Sequence, residues 1–311
     1  NAAETTGRLD GIVAVNLGTG ALSITAGKTT GGNAGIVANN SSAGTDLTVN
    51  AATTTGADDG IYAKNDGTGA LSITTTGTTT GETDDGIAVF NSSAGTDLTI
   101  NAATTTGAVE GINADNYGSG ALSITTTGTT TGETNEGIDA NNSSTGTDLT
   151  INAATTTGAV DGIYADNNGT GALSITTTGT TTGETNDGIY ANNFGTDLTI
   201  NAATTTGADD GIYADNKGTG ALSITTTGIT TGTESDGIFA YNSSAGTDLT
   251  INAATTTGAD DGIYADNNGT GALSITAGTT TGDTDDGIDA KNDGTDLTIN
   301  AASTTGADDG I

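Results

Sequence analysis

Residues 195–216 read GTDLTINAATTTGADDGIYADN, and close copies of this phrase begin at Gly44, Gly95, Gly146, Gly246 and Gly294. In its first half Leu198 and Ile200 alternate with Thr199 and Asn201. In its second half Ile212, Ala214 and Asn216 alternate with Tyr213 and Asp215. The constrained positions are two residues apart, the spacing of a strand that turns one face inward. The same alternation recurs as Ile61-Ala63-Asn65, Ile163-Ala165-Asn167 and Ile263-Ala265-Asn267, with Val89 the one replacement of the Ala. Positions between them are chemically indifferent, holding Tyr62 and Lys64 in one copy and Asp139 and Asn141 in another.

Gly-Ile pairs place an Ile at 12, 36, 61, 87, 112, 138, 163, 189, 212, 238, 263, 288 and 311, so the underlying period is about 25 residues. Two versions alternate. One carries GALSIT, as at residues 171–176, and the other TDLTIN, as at residues 196–201. The copied unit is therefore a pair. Gly, Asn, Ser and Asp between the alternating runs are turn formers, and a TTTG stretch followed by acids returns the chain to the next Gly-Ile. No apolar stripe has helical spacing. A period this short excludes propeller blades, which need about 40 residues and four strands. The expected fold is all-β, a right-handed parallel β-helix with three short strands per coil and about 12 coils. At a strand spacing of about 4.8 Å the rod should be roughly 55–60 Å long. A lone coil buries too few side chains to offset the entropy of ordering its backbone, so the copies are needed for folding itself.

Composition narrows the partners. The 311 residues include no Pro, Cys, His, Met or Trp, and carry a net charge of -33 from 38 acids against five bases. Without basic stripes, nucleic acid and anionic membrane are poor partners. No apolar run has the length of a membrane span. The opening NAAETTGRLDGI matches the interior phrase NAATTTGADDGI, so residues 1–311 are expected to be one uncapped array cut from a longer chain.

Three sets of residues stand out. The fixed Asn of each coil (Asn40, Asn65, Asn91, Asn116, Asn142, Asn167, Asn193, Asn216, Asn242 and Asn267) should point inward and form a structural ladder of stacked amides. Four Asn-Ser-Ser sites match the glycosylation acceptor pattern, which an inward amide cannot serve. Acids precede Gly-Ile at Asp59, Asp85, Asp161, Asp187, Asp210, Asp236, Asp261 and Asp286. Stacked along the rod, they are either solvated carboxylates that fan outward and cap turn N–H groups, or a calcium ladder that bridges adjacent coils. No cofactor is expected, calcium being the one ion this pattern admits. Rings at Tyr62, Tyr164, Tyr190, Tyr213, Phe239 and Tyr264 share an outward column and should stack on one another along the rod, or else bind a glycan or a neighbouring rod. The Thr-rich face is no regular array, since outward Thr74 and Thr76 give way to Asn101 and Ala103 one coil on.

Phrases such as GIYADNNGTGALSITTTG and GTDLTINAATTTGADDGIYA resemble the β-helical passenger repeats of large bacterial autotransporter adhesins and related repetitive surface proteins. That resemblance implies export to the Gram-negative cell surface, a projecting stalk, and a role in adhesion or assembly. A non-enzymatic extracellular rod is the expected function. Its partners would be other copies of itself and host or surface glycans and proteins, with membrane attachment only through an anchor outside these residues. The alternative is a subunit of a self-assembling extracellular filament or sheath, assisted by calcium. A carbohydrate-active β-helix enzyme is the remote alternative, because it needs a coil that departs from the repeat and none does.

Overall fold

The structure is a computed structural model that describes residues 2–311, and these form strands and turns with no helix. A coil from the middle shows the plan. Strand Ile163–Asn167 is followed by Leu173–Thr177 and then by Thr180–Gly183. Every strand pairs in parallel with its counterpart one coil away. Ile163 lies between Ile138 and Ile189, Ala165 between Ala140 and Ala191, and Asn167 between Asn142 and Asn193. First strands make a sheet of 12, one per turn, while second and third strands share a sheet of 19. The two run together because in some coils the second strand continues into the third without a break, as Leu249–Gly258 does. The chain is a β-solenoid of about 12 turns and about 25 residues per turn.

The core is a set of columns. Ile163, Ala165, Leu173 and Ile175 are fully buried, and so are their counterparts through the middle of the rod. A fifth column is polar. The central Thr of each TTTG, from Thr29 through Thr181 to Thr256, is fully buried, and its hydroxyl has no hydrogen-bond partner. Its methyl faces the glycine of Gly-Ile. A Cβ on Gly60 would sit 2.7 Å from Thr79 Cγ2 and 2.5 Å from the carbonyl oxygen of Gly86 in the next coil. Only glycine lets the turn pass that close to the column. The hydroxyls contribute nothing that a methyl would not, so Thr181→Val is expected to stabilise the rod by about 0.5–1 kcal/mol in chemical denaturation. A destabilisation of that size would mean the hydroxyls have partners.

The alternation of coil types has a physical cause. The Asp of TDLTIN reaches into the following GALSIT coil, where its Oδ1 accepts the backbone N–H of the Ala. Asp148 bonds Ala172 at 2.8 Å, and Asp197 bonds Ala221 at 2.8 Å. The Gly of GALSIT makes room for that carboxylate, since a Cβ on Gly171 or Gly220 would overlap Asp148 Oδ1 or Asp197 Oδ1. One coil type supplies the reaching acid and the other the space, so the pair is the smallest unit that repeats without a clash.

Candidate functional site

The inward amides form an unbroken axial chain. Asn142 Nδ2 donates to Asn167 Oδ1 at 2.9 Å, Asn167 to Asn193 at 2.9 Å, and Asn193 to Asn216 at 3.0 Å. The same bond links Asn40, Asn65, Asn91 and Asn116 below and Asn242 and Asn267 above, with lengths of 2.8–3.1 Å. The second amide proton goes to a carbonyl of the residue's own turn, such as Thr147 for Asn142 at 3.1 Å. These side chains are buried, so the Asn-Ser-Ser sites are closed to modification. Asn142→Ala is expected to cost about 1–3 kcal/mol, by breaking two axial bonds and leaving their partners unsatisfied. Asn141→Ala, outward and bonded to the outward acids Asp139 and Asp115, should cost less than about 0.5 kcal/mol. Equal losses in denaturant melts would reverse the assignment of faces.

The acids before Gly-Ile do not fan outward. Asp161 is 2% exposed, and Asp85, Asp187, Asp210, Asp236 and Asp261 are likewise buried. Each turns along the rod axis. Asp161 Oδ1 accepts the N–H of Asp187 at 2.8 Å, Asp187 that of Asp210 at 2.9 Å, and Asp210 that of Asp236 at 2.8 Å. Asp236, Asp261 and Asp286 continue the series at 2.8–2.9 Å, and Asp85 Oδ1 accepts the N–H of Glu110 at 3.0 Å. Capping is therefore real, but it joins one coil to the next and takes the carboxylate out of water. Burial is the main cause that pushes Asp85 and Asp187 up to about 8, and Asp236 to about 7. Asp59, Asp210 and Asp261 rise to about 6, and Asp161 is raised as well. Neighbouring carboxylates push the same way, against the backbone N–H bonds.

Among the described residues, carboxylate oxygens converge within 4.8 Å of one another at Asp59, Asp84 and Asp85, at Glu110, Glu136 and Asp139, and at Asp261, Asp285 and Asp286. The expected calcium positions Asp59, Asp85, Asp261 and Asp286 fall in such groups. Asp161, Asp187, Asp210 and Asp236 belong to none of them. Glu110, Glu136 and Asp139 were not expected as a group, because Asp139 lies outward on the first strand and only the stacking brings it beside the two glutamates. Ala88 takes the place of a ring in the aromatic column, and a shallow hollow opens there beside Asp59, Asp84 and Asp85, walled by Tyr62 and Phe90.

Five rings, Tyr164, Tyr190, Tyr213, Phe239 and Tyr264, stack with centroids 4.8–5.1 Å apart and planes within 8° of parallel. Ring faces inside this ladder are covered by one another, so a sugar that stacks on an aromatic face meets only edges there. Neither the protein-family models nor the curated proteins nor the solved structures contain a match to this chain.

Proposed function

We propose that the chain is a non-enzymatic structural rod that projects from a bacterial cell surface and presents its outward positions for adhesion. One observation carries this reading: every coil repeats the same inward columns, while the outward positions vary freely without gathering into a single unique cluster. A reaction centre needs a local departure from the repeat, whereas a stalk needs uniform stiffness. The net charge of -33 keeps such rods apart and soluble. Antibodies against the purified chain should label intact cells of the producing organism, and external protease should remove the label. Labelling that appears only after lysis would overturn the reading.

The three convergent acid groups support calcium as a ligand of the rod. Millimolar calcium should then raise the melting temperature by several degrees beyond sodium at equal ionic strength, and Asp84→Asn with Asp285→Asn should reduce the difference. Equal effects of the two salts would leave the acids as a charged coat, screened without being bridged.

A further inference from the structure

Lys217 sits beside an amide and a carboxylate that the outward positions of most coils do not bring together with an amine. Its Nζ lies 3.1 Å from the amide oxygen of Asn192, one coil back, and 3.0 Å from Asp215 Oδ2. Asp215 is 7% exposed, and its second carboxylate oxygen, Oδ1, is buried with no hydrogen-bond partner. Asn192 is buried too, and its Nδ2 donates to Asp166 Oδ1 at 3.2 Å. Asn192 and Asp215 are register partners on adjacent strands. The ring of Phe194 covers the amine with its centroid 4.8 Å from Nζ. An amine, a carboxamide and a buried carboxyl are thus held together between two coils.

We propose that this trio forms an intramolecular isopeptide bond between Lys217 and Asn192, with Asp215 as the proton shuttle. A proton passes from Nζ to Asp215 Oδ2, leaving a neutral amine beside a carboxylic acid. The amine attacks Asn192 Cγ, and the Nζ–Cγ bond forms as negative charge moves to the amide oxygen. Asp215 then gives its proton to Nδ2 and accepts one from Nζ. The Cγ–Nδ2 bond breaks, ammonia leaves, and the carbonyl re-forms as a secondary amide. The ammonia takes the last proton from Asp215 and departs as ammonium. No oxidant or second substrate is needed. Holding the groups at contact distance replaces a collision with a reorientation, which is where the rate comes from.

Lys291 has similar neighbours, with Nζ 3.1 Å from Asn268 Oδ1 and 3.2 Å from Asp266 Oδ1. It differs in facing a second acid, Asp293, at 3.6 Å, and its side chain is 57% exposed against 40% for Lys217. The hydrogen bond and charge of Asp266, with Asp293 adding to them, raise the pKa of its ammonium and keep it from acting as a nucleophile. Lys217 is therefore the expected site. The link would close a loop across neighbouring coils and stop their strands from separating, whatever the rod does for its cell.

Intact-mass measurement of the purified chain after prolonged incubation tests this. The wild type should weigh one ammonia, about 17 Da, less than its sequence requires. Trypsin should fail to cut after Lys217, and fragmentation should find a branched peptide that joins it to Asn192. Lys217→Arg and Asn192→Ala should each restore the full mass. Asp215→Asn should leave the chain unlinked, while circular dichroism shows all three variants folded. A full-mass wild type would overturn the proposal, as would an ammonia loss that persists in Lys217→Arg. A link that forms equally well in Asp215→Asn would overturn the role given to Asp215.

Discussion

Ile163→Asp is expected to open the rod at its middle. Ile163 is fully buried between Ile138 and Ile189, in a core that among the described residues holds no cation to meet a carboxylate. An unpaired charge there should cost more than about 4 kcal/mol, at the top of the range for single substitutions. In a solenoid each coil is held only by its neighbours, so the loss stays local and separates the array into two shorter pieces. Limited digestion with a non-specific protease should give two resistant fragments in place of one. Ser174→Asp, outward on the next strand, should change stability by less than about 1 kcal/mol. Unchanged protease resistance of Ile163→Asp would show that the inward register is misassigned.

The second large effect is an inverted pH dependence. An ordinary carboxylate that is paired in the folded state has a lowered pKa, and stability is lost on acidification. Here the shifts run the other way. Asp85 and Asp187 titrate near 8, Asp236 and Asp139 near 7, and Asp59, Asp210 and Asp261 near 6. In the unfolded chain the same groups titrate near 4. Between those limits the folded rod binds more protons than the unfolded chain, so stability falls as pH rises. Acidification from pH 9 to pH 5 should therefore stabilise the rod and raise its melting temperature. A neutral carboxyl still accepts the N–H of the next coil through its carbonyl oxygen, so the staples survive protonation. Melting temperatures across that range check the sign. A steady fall in melting temperature between pH 8 and pH 5 would refute it.

How much of this could be read beforehand depended on contrast between neighbouring letters. Ile163, Ala165 and Asn167 alternate with Tyr164 and Asp166, and that contrast exposes both the strand and its inward face. The Asn ladder follows from the same alternation, because a fixed amide among variable neighbours shares the constraint of the Ile. TTTG offers no such contrast. Three identical letters conceal which Thr points inward, and the buried column at Thr79, Thr105 and Thr130 stayed hidden. Its trace was the glycine two residues later, which keeps the inward phase, as in Thr79 and Gly81. The acids before Gly-Ile misled for another reason. Charged letters read as solvated, but the direction of Asp161 is set by the N–H of Asp187, a donor 26 positions away. The grouping of Asn192, Asp215 and Lys217 likewise depends on which residues stacking brings together, and no local pattern marks it.

The pairing of coil types bears on how the gene can change. Because the strand pairings join equivalent positions, deleting residues 112–162 would join Gly111 to Ile163 and recreate a Gly-Ile pair. One GALSIT coil and one TDLTIN coil would vanish together. Asp97, which bonds Ala121 at 2.9 Å, would find Ala172 in its place, and the amide chain would close from Asn91 to Asn167. Slippage or unequal crossing-over by whole pairs thus changes the rod's reach without disturbing its interior, while a shift by a single coil sets reaching acids against a surface with no room for them. Length is then a trait that recombination can tune in steps of two turns, roughly 10 Å each, and rods of several lengths can arise within one lineage without passing through an unfolded product.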